Sequence, residues 1–231
     1  MVVSMPKLLA TLLLITLSQA GCNVESTSEG AAAAPEDKST TLITQAKAVH
    51  ASALTIDAHA DIEIPGKPSM YVGADGLSRV SPAKMHAGGL DAVVMSLAVG
   101  PMPRNPKGYA AANALAQTKL AAVNALANDP VNNAIIVQTT EELQTAQTEG
   151  KAALILGFQN ALILGTNTTG IDELYDSGVR VFALTHMGHN NFADSSRTLF
   201  DGDTGTREPE SEHGGLSVLG RSAISKINAL G

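Results

Sequence analysis

A histidine and a carboxylate two residues apart, His59-x-Asp61, stand at the end of the short segment LTIDAHA, residues 54–60. Read as a strand, this segment places Asp57, His59 and Asp61 on one face and Ile56, Ala58 and Ala60 on the other. An imidazole and a carboxylate so disposed can ligate one borderline metal ion such as zinc. A solvated polar strand end has the same pattern, because His-x-Asp is too short to be specific. Two more apolar runs end in polar groups: Gln159-Asn160 follows residues 151–158, and His186 follows residues 179–185. His189, Asn190, Asn191 and Asp194 read as turn-forming side chains of a solvated loop. His50 and His86 have no evident partner, and His213 before Gly214-Gly215 reads as structural. There is no G-x-S-x-G elbow, no phosphate-binding G-x-x-x-x-G-K and no H-E-x-x-H. None of these three local signatures is available to assign a chemistry.

The elements that must hold these groups alternate along the chain. Helices are expected over residues 42–53, 108–128, 169–177 and 216–230, with another opened by Thr139 and Glu142 in capping-box spacing. Between them lie strands at 54–60, 89–99, 134–138, 151–158 and 179–185. GLDAVVMSLAV (89–99) and KAALILGF (151–158) are apolar almost throughout, as in strands buried on both faces. Strands of this kind alternating with helices indicate an α/β protein with a parallel sheet. Residues 187–212 form an Asp/Gly/Ser-rich connection far longer than usual, which points to function. In a parallel barrel, polar residues at the C-terminal ends of several strands mark the active-site face.

The chain has 231 residues and a net charge of −7, with no Trp and 3% aromatic residues. It therefore lacks the basic footprint and stacking platforms of nucleic-acid binders. A hydrophobic share of 44% supports a sizeable core and excludes global disorder. The single Cys22 excludes a disulfide framework and Cys-rich zinc modules. Residues 1–22 read as an export signal: Lys7, an apolar run over 8–17, then Ser18-Gln-Ala-Gly-Cys22. That run is too short to span a bilayer. Two processing routes are open. Ser18-x-Ala20 suits cleavage before Gly21, giving a soluble periplasmic product. Ala20-Gly21-Cys22 resembles the end of a bacterial lipobox, although Gln19 stands where Leu is usual. The polar, low-complexity stretch 23–41 reads as a flexible tether, which favours a lipid anchor on Cys22 in the bacterial cell envelope.

Five segments together resemble the membrane (renal) dipeptidase family of zinc peptidases. They are IDAHAD (56–61), GVRVFALTHM (178–187), NNFADS (190–195), and HGGLSVLGR (213–221) with INALG (227–231). The resemblance runs from about Thr55 to Gly231. It implies a (β/α)8 barrel of the metal-dependent hydrolase type, with residues 42–231 as its N-terminal half. It also implies two zinc ions and hydrolysis of dipeptides, including those with a C-terminal D-residue. By this resemblance His59 and Asp61 match two ligands of the first zinc. Gln159 falls where the family has a Glu bridging both metals. His186 matches the histidine that contacts substrate and stabilises the tetrahedral intermediate. In the family a metal-bridging hydroxide attacks the peptide carbonyl. Gln159 departs from that pattern, since a neutral amide cannot screen two dications from each other. The family's two histidine ligands of the second zinc, its substrate-binding Arg and its catalytic Asp have no match in residues 1–231. One zinc or none is therefore expected, with weak or no turnover. The alternative is a non-catalytic envelope lipoprotein that uses the scaffold for binding. A half-barrel is expected to expose apolar surface and to self-associate, for example as a homodimer.

Overall fold

The computed structural model describes residues 38–201 and 204–231. The expected export signal, Cys22 and the tether as far as residue 37 lie outside the described residues; residues 38–41 open a helix, α1 (Lys38–Ser52). There follow β1 (Ile56–Asp61), α2 (Pro82–Gly88), β2 (Ala92–Ala98), α3 (Pro106–Asn128), β3 (Ala134–Ile136), α4 (Thr140–Thr148) and β4 (Ala152–Gln159). The chain continues with α5 (Gly170–Asp176), β5 (Val179–Ala183), a two-stranded hairpin of β6 (Phe200–Asp201) and β7 (Thr206–Arg207), and α6 (Val218–Leu230).

The first five strands form one sheet, and every pairing in it is parallel. β2 lies between β1 and β4. The far edge of β4 is shared: β3 pairs with residues 152–154 and β5 with residues 156–159. Four long parallel strands, β1, β2, β4 and β5, thus stand side by side, the arrangement of part of a (β/α)8 barrel. The sheet is covered on both faces. On one face Val93, Met95 and Leu97 of β2 and Leu154, Leu156 and Phe158 of β4 join the core with Ala112, Ala116 and Val123 of α3. On the other, Ala92 and Ala153 pack against Val137 and against Ala146 of α4. Every residue of β2 is buried, which is why its sequence shows no alternation. Within β2 and almost throughout β4, the runs 89–99 and 151–158 are thus buried as their unbroken apolar sequence predicts. Within the long strands of the sheet, exposed large apolar side chains are found on the edge strands, at Ile56 of β1 and Val181 of β5.

Caps fix the helices that frame the sheet. Asn105 accepts the Gly108 N–H at the start of α3, where Pro106 presets the first turn. Thr139 accepts the Glu142 N–H, while the Glu142 carboxylate reaches back to the N–H of Gln138. This is the expected capping box, displaced by one residue on its return bond. Ser217 caps α6 through the Gly220 N–H. Gly220 also lets α6 dock closely: a Cβ there would lie 2.0 Å from the Phe192 carbonyl oxygen.

Candidate active site

β1 departs from simple alternation. Its register against β2 slips between Asp57 and Ala60, so Ala58 and His59 together oppose Val94 in a bulge. The Asp57 carboxylate accepts the His59 N–H at this point (3.0 Å). The bulge turns successive residues to one side, and Asp57, His59, Ala60 and Asp61 all border one cavity. The expectation that Ala60 faces away from His59 is thereby corrected.

That cavity measures about 430 Å³ and is also lined by Gln159 from the end of β4 and by His186 beyond β5. Its size lies in the range of small-molecule sites. Four residues singled out by sequence, His59, Asp61, Gln159 and His186, therefore meet at the C-terminal ends of three parallel strands. His186 keeps Nδ1 buried with no hydrogen-bond partner. Its backbone carbonyl accepts the Ser195 hydroxyl, which fixes where the ring leaves the chain. Tyr71, Ser78 and Arg79, from the excursion between β1 and α2, complete the rim. None of these three was singled out in sequence, because nothing in their local pattern ties them to β1.

Asn160 does not join the cavity. It adopts a left-handed backbone conformation at φ +82° and is 1% exposed. Its amide donates to the Val99 carbonyl and accepts from Leu162 N–H and from the Asn190 amide. Asn190 in turn donates to the Leu184 carbonyl (2.7 Å). These two buried amides tie together the C-terminal ends of β2, β4 and β5. They position Gln159 and His186 without touching the cavity.

The residues after His186 also depart from expectation. His189 and Asn190 are buried, not solvated. His189 Nε2 donates to the Pro209 carbonyl, and Nδ1 accepts the Ser195 N–H, so the ring is a neutral Nε2–H tautomer. Its 3.4 Å approach to Asp194 is then a contact and not an ion pair. Asp194 instead accepts the Ser211 hydroxyl and the N–H groups of Glu212, His213 and Gly215. Burial opposes its ionisation, but the Ser211, Gly215, Glu212 and His213 donors outweigh it and hold the carboxyl well below the usual carboxylate range. Arg104 forks onto Glu212 at 2.6 and 2.8 Å. That pairing lowers the Glu212 carboxyl and raises the Arg104 guanidinium. His213 Nε2 donates to the Asn190 carbonyl, the structural role expected of it. His86 has a contact after all, 3.4 Å to the Asn132 carbonyl.

The fold is that of part of a parallel α/β barrel, and the cavity lies at the strand ends where such barrels carry their active sites. A model of the membrane dipeptidase family, peptidase family M19, matches residues 43–231, and the chain belongs to that family. The dipeptidase aclJ of Aspergillus oryzae is 29% identical over 82 residues, 36% of this chain and 17% of that protein. The probable dipeptidase PvdM from Pseudomonas aeruginosa superposes with a TM-score of 0.72 at 25% identity, over 83% of this chain and 48% of PvdM. The dipeptidase AC, a metallo peptidase of family M19, superposes with a TM-score of 0.60 at 16% identity, over 76% of this chain and 54% of that one. This last likeness is one of fold. The chain spans about half the length of these solved relatives.

Zinc sites draw three or four protein donors each. Here His59 and Asp61 are two, and Gln159 adds only a neutral carbonyl oxygen. Among the described residues no three His, Cys, Asp or Glu side chains gather closely enough to hold a metal ion. Asp61 moreover already faces the Lys119 ammonium, 3.5 Å away. The residues present do not fit a pair of zinc ions.

Proposed function

We propose that the protein acts on dipeptides as a member of the membrane dipeptidase family, and that residues 1–231 contribute the half of the site that carries His59, Asp61, Gln159 and His186. The observation that carries this reading is the convergence of those four residues on one cavity at the ends of β1, β4 and β5. His59 and Asp61 form its metal-side corner, and Gln159 occupies the place of the bridging carboxylate. His186, which lines the cavity, takes the role of hydrogen-bonding the oxygen of a peptide carbonyl as it becomes tetrahedral. Residues 1–231 by themselves turn over dipeptides weakly at most. A specific observation favours a second reading, a binding lipoprotein without catalysis: the neutral Gln159 stands beside an Asp61 that an internal cation has already paired.

The test is a comparison of residues 1–231 with the protein extended by any codons that follow Gly231, using L-Ala-D-Ala with added zinc. The dipeptidase reading expects metal-dependent release of D-Ala by the extended protein, crippled by His186→Ala, and at most one zinc per short chain after dialysis. A stop codon with no related frame beyond it would support the binding lipoprotein. Rapid turnover by the short chain, or two tightly held zinc ions, would overturn the assignment of a half-site.

The N-terminal segment belongs to the same proposal. Cys22 is the acylated mature N-terminus, anchoring the domain to the periplasmic side of a bacterial membrane through the residues that precede α1. The described residues contain no helix long and apolar enough to cross a membrane. Palmitate labelling and detergent partitioning should both vanish in Cys22→Ala. A soluble product beginning at Gly21 would refute the anchor.

A further inference from the structure

We propose that Lys119 is the built-in counter-ion of Asp61, holding an ammonium where a metal ion's charge would otherwise act and disfavouring metal at this corner of the cavity. The inference deepens the dipeptidase-family reading and rests on it for the place of Asp61. Lys119 is not a surface lysine of α3. Ala112, Ala116 and Val123 form the inward stripe of that helix, each 1% exposed or less. Lys119 stands three residues after Ala116 and four before Val123, so it falls on the same stripe. Its side chain is 13% exposed, and Nζ lies 3.5 Å from Asp61 Oδ1, on a side chain that is 25% exposed.

A lysine on such a stripe loses much of its hydration and needs an opposite charge in return. Asp61 supplies it. The pair borders a second cavity of about 290 Å³, which Glu63 and His186 also line. Glu63 keeps one carboxylate oxygen buried there without a partner, so a carboxylate alone does not explain where Lys119 points. A dication arriving at Asp61 must face or displace this ammonium. At protein-like screening that repulsion is enough to weaken zinc binding about tenfold or more. Gln159 acts in the same sense, because its neutral amide adds nothing to attract a cation.

The experiment is a calorimetric zinc titration of the purified chain in wild-type, Lys119→Met and Lys119→Arg forms. Lys119→Met keeps the apolar stem and removes the charge. It should bind zinc about tenfold tighter than wild type, and adding His59→Ala should erase the gain. Lys119→Arg keeps the charge and should match wild type. Zinc binding by Lys119→Met that equals wild type, or is weaker or undetectable, overturns the proposal. Should Lys119→Met fail to fold, Lys119→Gln serves the same titration. A second readout is independent of metal: Asp61→Asn strands the ammonium and should lower the melting temperature, and an unchanged value overturns the pairing. No dipeptide enters either measurement. Failure of L-Ala-D-Ala turnover would therefore count against the dipeptidase reading and leave this one standing.

Discussion

Asp194 draws four donors from a segment about twenty residues further along the chain: the Ser211 hydroxyl and the N–H groups of Glu212, His213 and Gly215. Its carboxyl is depressed below the unfolded value of about 3.9. A depressed carboxyl stabilises the fold at pH values above the unfolded one, and that contribution disappears as pH falls through the folded one. Asp194→Asn should therefore lower the melting temperature at pH 7 by several degrees. The gap from wild type should narrow as melts are run below about pH 4. Equal melting temperatures at pH 7 would show that the network is not stabilising. Nothing in the sequence announces this hub, since three of its four donors are backbone groups and all lie in a non-periodic segment. His59, Asp61 and His186 are legible for the opposite reason: residue type coincides with a strand end. Lys119 did carry a signal, a charge on an apolar helical stripe, visible once α3 is drawn as a wheel.

At the scale of elements, β2 and β4 are readable because burial on both faces leaves unbroken apolar runs. α2 is not, because Pro82 in a Pro- and Gly-punctuated stretch reads as loop, although it serves as the first residue of a helix. The β1 bulge is hidden as well, since alternation in IDAHAD looks intact and only pairing with β2 reveals the slip. The β6–β7 hairpin is too short to leave a periodic trace. α6 illustrates how an element is docked by one small residue. A methyl group at position 220 would meet the Phe192 carbonyl at 2.0 Å, and neither backbone can yield without lifting α6 from the segment that follows His186. Gly220→Ala should cost about 3 kcal/mol in urea melts. The exposed Val218→Ala, one turn-face away, should cost far less. Equal costs would mean that the close approach relaxes freely.

For the whole molecule, alternation of strands and helices is enough to give the α/β class, while the barrel came from the family resemblance and not from periodicity. The edges decide how residues 1–231 behave in solution. Among the described residues β1 pairs only with β2, and β5 only with β4. β2 is buried along its whole length, so association through the sheet is expected at these two edge strands. Each carries an exposed β-branched residue, Ile56 at 46% and Val181 at 41%. Open edges with apolar side chains are templates for pairing with another chain. Sedimentation velocity of residues 1–231 should thus show concentration-dependent association, and Ile56→Lys with Val181→Lys should reduce it. The paired substitution leaves the core untouched, so loss of association with an unchanged melting temperature would assign it to the edges. Association that persists in the doubly substituted protein would assign it to a face instead. A wild-type monomer at all concentrations would show that these edges are protected in solution.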